Sequence, residues 1–280
     1  MRLLRYGLAG HERPGMLHTD GTIRDLSGVV HDLEPATLSP ESLARIRSTD
    51  PESLPEVGAH PRLGPPVAHV GNIMGIGLNY ADHARETKGE PPPEPILFFK
   101  HTGSLCGPTD PIYFPQGARR LDWEAELGVV IGTAAHNIDE AHALDHVAGY
   151  LTLNDVSERD NQFIHQGQWG KGKSAPGFCP IGPYLVTADM VPDPQNLPVK
   201  LALNGELMQD SSTAEMIFPV RFLIAYLSRF LRLLPGDIIA TGTPAGVGLG
   251  RKLFLKPGDV VEASVGDLGS QRQAVIAEAP

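Results

Sequence analysis

The sequence predicts a β-rich α+β fold in two parts, a small N-terminal α+β domain over residues 1–65 and a larger, strand-dominated domain over 66–280. Three observations carry this. First, short apolar runs bounded by turn residues recur along the second part: NIMGIGL (72–78), PILFFK (95–100), ELGVVIGT (126–133), VAGYLTLND (147–155), GPYLVT (182–187) and VKLALNG (199–205). Second, helical patterns are few: YADHARET, ERDNQFIHQ and PVRFLIAYLSRFL, the last with Phe222, Leu223, Tyr226, Leu227 and Phe230 at helical spacing. Strands and helices do not alternate regularly, which argues against a doubly wound nucleotide fold. Third, LLPGDIIATG and LKPGDVVEAS each set Pro-Gly-Asp before a β-branched run, a repeat that suggests neighbouring strands in one sheet.

The N-terminal part opens with short strands around Asp20-Gly21, where Gly supplies the positive φ of a type I′ hairpin turn. Residues 39–48 read as a helix with Ser39 as cap and Pro40 in the first turn. The Pro/Gly-rich stretch PRLGPPVAHVG (61–71) is the join.

With 41% hydrophobic and 20% charged residues, the 280-residue chain can bury a full core without staples. A formal charge of −10 argues against nucleic acid or anionic membrane as a partner, though a bound cation could still admit a small anion. Cys106 and Cys179 stand in no metal spacing, and no stretch approaches 18 apolar residues. A cytoplasmic protein with no membrane span is expected.

Several motifs carry possible chemistry. In LDWEAELGVVI, Glu124 and Glu126 are two apart, so in a strand they share a face, roughly 6.5 Å apart. They read either as a solvated edge or as two ligands of a hard cation, with Asp155, at the end of VAGYLTLND, as the third. Carboxylates without Cys or His suit Mg²⁺, Mn²⁺ or Ca²⁺ better than Zn²⁺. In NYADHARETKG, Asn79 and Gly89 suit the two ends of a short helix, and His83 and Glu86 at i and i+3 share a face. They form a base with its orienting carboxylate, or incidental charges on a solvated helix. The prolines of GEPPPEP that follow could flank a mobile lid.

GQWGKGKS (167–174) matches the P-loop pattern letter for letter, but Pro176 and Pro180 would break the helix that must follow. Lys173 remains of interest near an anionic site. His142 and His146 lack the adjacent Glu of a zinc hydrolase and read as a solvated helix. TGTPAGVG (241–248) could offer Thr243 and backbone N–H groups, including that of Gly242, to a ligand, or be a tight turn.

Taken in order and spacing, GIGLNYADHARE, LDWEAELGVVIG, LTLNDVSERDNQ, GKGKS, NGELMQDSSTAEMIF and PGDIIATGTPAGVG together resemble the fumarylacetoacetate hydrolase family, of the bacterial 2-oxo acid hydrolase/isomerase type, over about residues 70–265. The resemblance implies a mixed β-sandwich/β-roll catalytic domain. It implies Mg²⁺, with Mn²⁺ or Ca²⁺ as alternatives, on Glu124, Glu126 and Asp155. It makes His83 and Glu86 a catalytic dyad on a lid that orders with ligand, and Lys173 a catalytic lysine. Arg159, Gln162, Thr243 and Gly242 would bind substrate. The chain departs from the family at Ala175-Pro176, where Phe-Asp is usual, and at Ile76, where the animal enzyme has an extra metal aspartate.

The implied activity is hydrolysis of a C–C bond in a 2,4-dioxo acid, either an acylpyruvate or a 2,4-diketo-3-deoxy sugar acid, through a metal-stabilised enolate. Water activated by His83 would attack the 4-carbonyl. Decarboxylation, isomerisation, lyase or dehydratase chemistry on the same metal site is the alternative. A small anionic 2-oxo acid is the expected partner, and a homodimer the expected assembly.

Overall fold

In the computed structural model, which describes residues 1–58, 60–87 and 90–277, the strands gather into two main sheets. The larger has 11 strands, in the order Glu56–Val57, Ile23–Asp25, Arg13–Leu17, Arg2–Tyr6, Leu185–Thr187, Val147–Asn154, Ala125–Ile131, Ile238–Ala240, Ile73–Gly77 and Ile96–Lys100, with Leu63–Gly64 beside Arg2–Tyr6. Ile238–Ala240 runs parallel to Ile73–Gly77 while the strands flanking them pair antiparallel, so the sheet is mixed. The second sheet has five strands: Glu206–Ser212, Pro198–Leu203, Val260–Val265, Ser270–Ala277 and Ile112–Phe114. The fold is strand-rich α+β, as the sequence predicts.

Packing explains the apolar run at 125–131. Every residue of this strand is buried. Ala125, Leu127, Val129 and Ile131 face a core shared with Val199, Leu201, Val261 and Val265 of the smaller sheet and with Leu223, Ile224 and Leu227 of the helix Val220–Ser228. On the opposite face, Val130 joins Leu26, Leu38, Ile46, Leu151, Leu153 and Ile238. A strand covered on both faces needs an unbroken apolar run, and Glu126 interrupts it. N-terminal strands extend this same sheet, with Leu3 opposite Leu185, so the sheet continues across residue 65.

The helix Pro40–Ser48 forms as expected, and the Ser39 hydroxyl accepts the Ser42 amide at 3.2 Å. Asp20-Gly21 does turn the chain, but inside a wider loop. Leu17 pairs with Ile23, the His18 amide donates to Thr22 O, and Asp20 Oδ1 accepts both the amide and the hydroxyl of Thr22. The local carboxylate anchor sets a longer loop than a two-residue type I′ turn.

The two Pro-Gly-Asp segments do not lead into adjacent strands. Ile238–Ala240 lies in the larger sheet and Val260–Val265 in the smaller. What repeats is local: Asp237 Oδ2 accepts the Leu234 amide at 2.8 Å, and Asp259 Oδ2 accepts the Lys256 amide at 2.9 Å. The motif closes a turn and carries no information about the strand's partner.

Candidate active site

Neighbouring antiparallel strands bring the three acids together. Ala125 pairs with Asn154, and the Asp155 amide donates to Glu124 O at 2.8 Å, which sets Glu124 and Glu126 beside Asp155. One oxygen from each of the three carboxylates lies within 4.8 Å of the others, and all three residues are buried. No other such group occurs among the described residues.

Three buried cations face this cluster. Lys173 Nζ donates to Glu124 Oε2 and Asp155 Oδ2, both at 2.6 Å. Arg159 donates through Nη2 to Glu124 Oε1 at 2.6 Å, through Nε to Asp122 Oδ2 at 2.8 Å and through Nη1 to Gln162 Oε1 at 2.9 Å. Lys100 Nζ donates to Asp155 Oδ1 at 2.5 Å and to Lys173 O. Burial pushes the Glu124 carboxyl up, but the Arg159 and Lys173 charges outweigh burial and hold it below the usual range. Burial also pushes Glu126 up, and there the Asp155 and Glu124 charges add to the shift, carrying it well above the usual value. Burial draws Lys173 down, yet Asp155 and Glu124 more than offset this and hold it as the ammonium ion.

His83 and Glu86 lie on the helix Ala81–Thr87, with His83 Nδ1 3.3 Å from Glu86 Oε2. Glu86 also accepts the Gly246 amide, and Asp82 accepts the Ser211 hydroxyl at 2.6 Å and the Ala245 amide at 3.3 Å. The helix is therefore docked on the 242–250 loop. Asn79, expected as its cap, instead bridges Thr241 O, Phe218 O and the Phe218 amide. Gly89, expected as its end, lies outside the described residues.

The Gly242 amide donates to Glu126 Oε2 at 2.9 Å, from a backbone at φ +96° that favours glycine. Thr243 donates its hydroxyl to Ala125 O and accepts from Gln209 Nε2. The GQWGKGKS segment supplies the short helix Gly170–Lys173, which follows another helix, Arg159–Phe163, and no strand; the P-loop reading has no structural support. His142 and His146 bond separately, to Asp145 and to Thr133 O.

Sequence reasoning missed Lys100, Asp122 and Gln209. Two of them had a faint signal. Lys100 ends the apolar run ILFFK, where a charge must find a buried partner. Asp122 continues the alternation of Glu124 and Glu126, and it accepts the amides of Gly248 and Leu249 besides binding Arg159. Gln209 accepts the Ala125 amide at 2.9 Å and so ties the smaller sheet to the site; nothing local marks it.

A single cavity of about 290 Å³ is lined by Glu124, Glu126, Asp155, Lys173, Arg159, Gln162, His83 and Thr243, together with Ile76, Leu78, Phe98, Phe163, Trp169 and Leu249. The donor set fits a hard divalent cation: oxygen ligands only, with four buried carboxylates (Asp122 included) facing three cations. Glu126 is the carboxyl with no cation bonded to it, and burial beside Asp155 and Glu124 favours its protonated form until a cation is added. The cavity can thus bring a small anion, a cation and an imidazole with its orienting carboxylate to one place.

The sequence profile of the fumarylacetoacetate (FAA) hydrolase C-terminal family matches residues 72–276. A protein of Burkholderia lata with only a provisional hydrolase name is 54% identical over 276 residues, 98% of each chain. Among solved structures, a fumarylacetoacetate hydrolase from Exiguobacterium antarcticum is 36% identical with a TM-score of 0.88, covering 99% of this chain and 100% of that one. A maleylpyruvate hydrolase from Sphingobium sp. SYK-6, solved with manganese(II) and pyruvate, is 29% identical with a TM-score of 0.83, covering both chains fully. A 5-carboxymethyl-2-hydroxymuconate delta-isomerase from Mycobacterium smegmatis is 30% identical with a TM-score of 0.79, again over the whole of both chains.

Proposed function

The chain belongs to the fumarylacetoacetate hydrolase family, and from that membership we propose that it is a divalent-metal-dependent hydrolase that cleaves a C–C bond in a small 2,4-dioxo acid. One observation carries the reading: the three carboxylates and His83, with Glu86 behind it, line the same cavity. The manganese and pyruvate bound by the Sphingobium relative support both a metal and a 2-oxo acid product.

Glu124, Glu126 and Asp155 would hold the cation, with Mg²⁺ as first choice and Mn²⁺ or Ca²⁺ as alternatives. When bound, it supplies Lewis acidity toward the carboxylate and 2-oxo oxygens of the substrate. The protein's own groups do the rest. Glu86 holds the His83 ring, and His83 takes the proton of the attacking water at the 4-carbonyl. The C3–C4 bond breaks, C3 regains a proton, and pyruvate and a carboxylic acid leave. Gln162 is held by Arg159 at the cavity wall, placed to meet substrate oxygens. Thr243, Gly242 and Lys173 are already bonded within the protein, so we assign them first to shaping the carboxylate cluster.

The isomerase likeness supports a second reading, proton transfer without water addition. A panel of acylpyruvates, oxaloacetate and an unsaturated 2-hydroxy acid, assayed with Mg²⁺ and with EDTA, separates the two. Release of pyruvate and a carboxylate from an acylpyruvate supports hydrolysis. Metal-dependent isomerisation with no cleavage would replace it.

A further inference from the structure

The carboxylate cluster would hold one end of the substrate, and the remaining wall of the cavity decides what the other end can be. That wall is apolar and aromatic: Ile76, Leu78, Phe98, Phe163, Trp169 and Leu249. Phe98 and Trp169 lie 5.5 Å apart between ring centroids, and Phe163 meets Trp169 edge-on at 6.3 Å. The wall is built into the strand Ile73–Gly77. A Cβ added at Gly75 would collide with the Phe98 ring, and one at Gly77 with the Trp169 ring. Neither glycine has a positive φ, so the GIG of this strand supplies space for two rings rather than a turn. Phe163 is 44% exposed, and Trp169 only partly buried, so these rings present faces to the cavity rather than to the core.

The charged groups of the cavity are already committed. Arg159 binds Asp122, Glu124 and Gln162, Lys173 binds Glu124 and Asp155, and His83 faces Glu86. Lys173 Nζ lies 5.1 Å from the Phe98 ring centroid but is spent on Glu124 and Asp155, and the described lining residues include no lysine or arginine beyond Arg159 and Lys173 to receive a second carboxylate. An ionised group moved there from water would lose its hydration without a partner. A flat apolar group would instead stack on exposed aromatic faces. A cavity of about 290 Å³ lies at the small end of ligand sites.

From this geometry we infer that the substrate's tail is a short, uncharged apolar group, a single aromatic ring or a branched alkyl, and that Trp169 selects it. The inference rests on the 2-oxo acid reading above.

The test compares kcat/KM for acetylpyruvate, benzoylpyruvate and succinylpyruvate with Mg²⁺, in the parent protein and in Trp169→Ala and Trp169→Phe. Benzoylpyruvate should exceed succinylpyruvate by about 10²-fold, the scale on which apolar pocket contacts discriminate. Trp169→Ala should lower the benzoyl-to-acetyl ratio by about tenfold, chiefly through KM, and Trp169→Phe should restore most of it. Calorimetry with Mg²⁺ gives a readout independent of turnover: phenylglyoxylate, which has no C3–C4 bond to cleave, should bind more tightly than 2-oxoglutarate. Succinylpyruvate equal to or better than benzoylpyruvate, or a ratio that ignores Trp169, overturns the inference. If no acylpyruvate is cleaved yet phenylglyoxylate still binds preferentially, the tail assignment stands and the hydrolytic reading falls. If neither 2-oxo acid binds, both fall.

Discussion

Glu124 and Glu126 lie two residues apart and reach one cavity, yet one stands among cations and the other does not. Glu124 is gripped by Lys173 and Arg159, and its partner across the site, Asp155, by Lys173 and Lys100. Glu126 receives the Gly242 amide, and the nearest charges that act on it most strongly are carboxylates. Alternation along a strand places two acids on one face; it does not decide what charge surrounds them. The clamped half of the site is organised by the protein itself. The Glu126 half is the part that an added cation would complete.

Breaking the Glu126 half should have the largest effect on turnover. Glu126→Ala should lower metal-dependent acylpyruvate cleavage by about 10³-fold or more, since a metal's charge stabilisation is worth several kcal/mol. The fold should persist, as circular dichroism would register. Turnover within tenfold of the parent would mean that Glu126 is no ligand.

Breaking the clamped half should instead show in stability. Lys100→Met leaves Asp155 with one cation fewer in a fully buried setting, and removal of one partner from a buried pair costs about 3–5 kcal/mol. Urea unfolding in EDTA measures this without metal or substrate. A loss below about 1 kcal/mol, the scale of an exposed pair, would show that Lys100 does not hold Asp155.

His83→Ala removes the proposed base and leaves all three carboxylates in place. It should lower kcat by about 10²-fold, the usual scale for a lost general base, while calorimetric Mg²⁺ affinity changes little. A large fall in metal affinity would move His83 into the metal site.

The smallest effect sharpens the electrostatic contrast. The Glu126 carboxyl sits well above its usual value in the folded protein, so the fold binds a proton there that the unfolded chain has released. Its contribution to stability is complete below the ordinary carboxyl range and is lost as pH rises through the raised value, with a slope of at most about 1.4 kcal/mol per pH unit for one proton. In EDTA, Glu126→Gln should flatten that decline. Glu124, held low, predicts the opposite sign: its contribution is present at neutral pH and lost in acid. Parallel pH profiles for parent and Glu126→Gln would deny the asymmetry.

Features set by near neighbours were readable directly. Ser39 caps its helix and Pro40 starts it. His83 and Glu86 meet at i and i+3. The strands at 73–77, 96–100, 125–131 and 147–154 fall within the apolar runs that announce them or shift by a residue. Turn composition misled where it was asked for more than a turn: Pro-Gly-Asp closes two similar turns in different sheets, and Asp20-Gly21 sits in a wider loop than two residues require.

By itself the sequence determined which side chains share a face, because strand and helix periodicities are properties of the backbone over a few residues. Only the tertiary structure decided what those faces meet. The cations that clamp Glu124 and Asp155 come from 18 to 55 residues away, and Gln209 reaches the Ala125 amide across 84. The rings of Phe98 and Trp169 settle on Gly75 and Gly77 only once three separate segments converge. Charge compensation and shape are set by distances in space, and those exist only after the sheets have closed around the site.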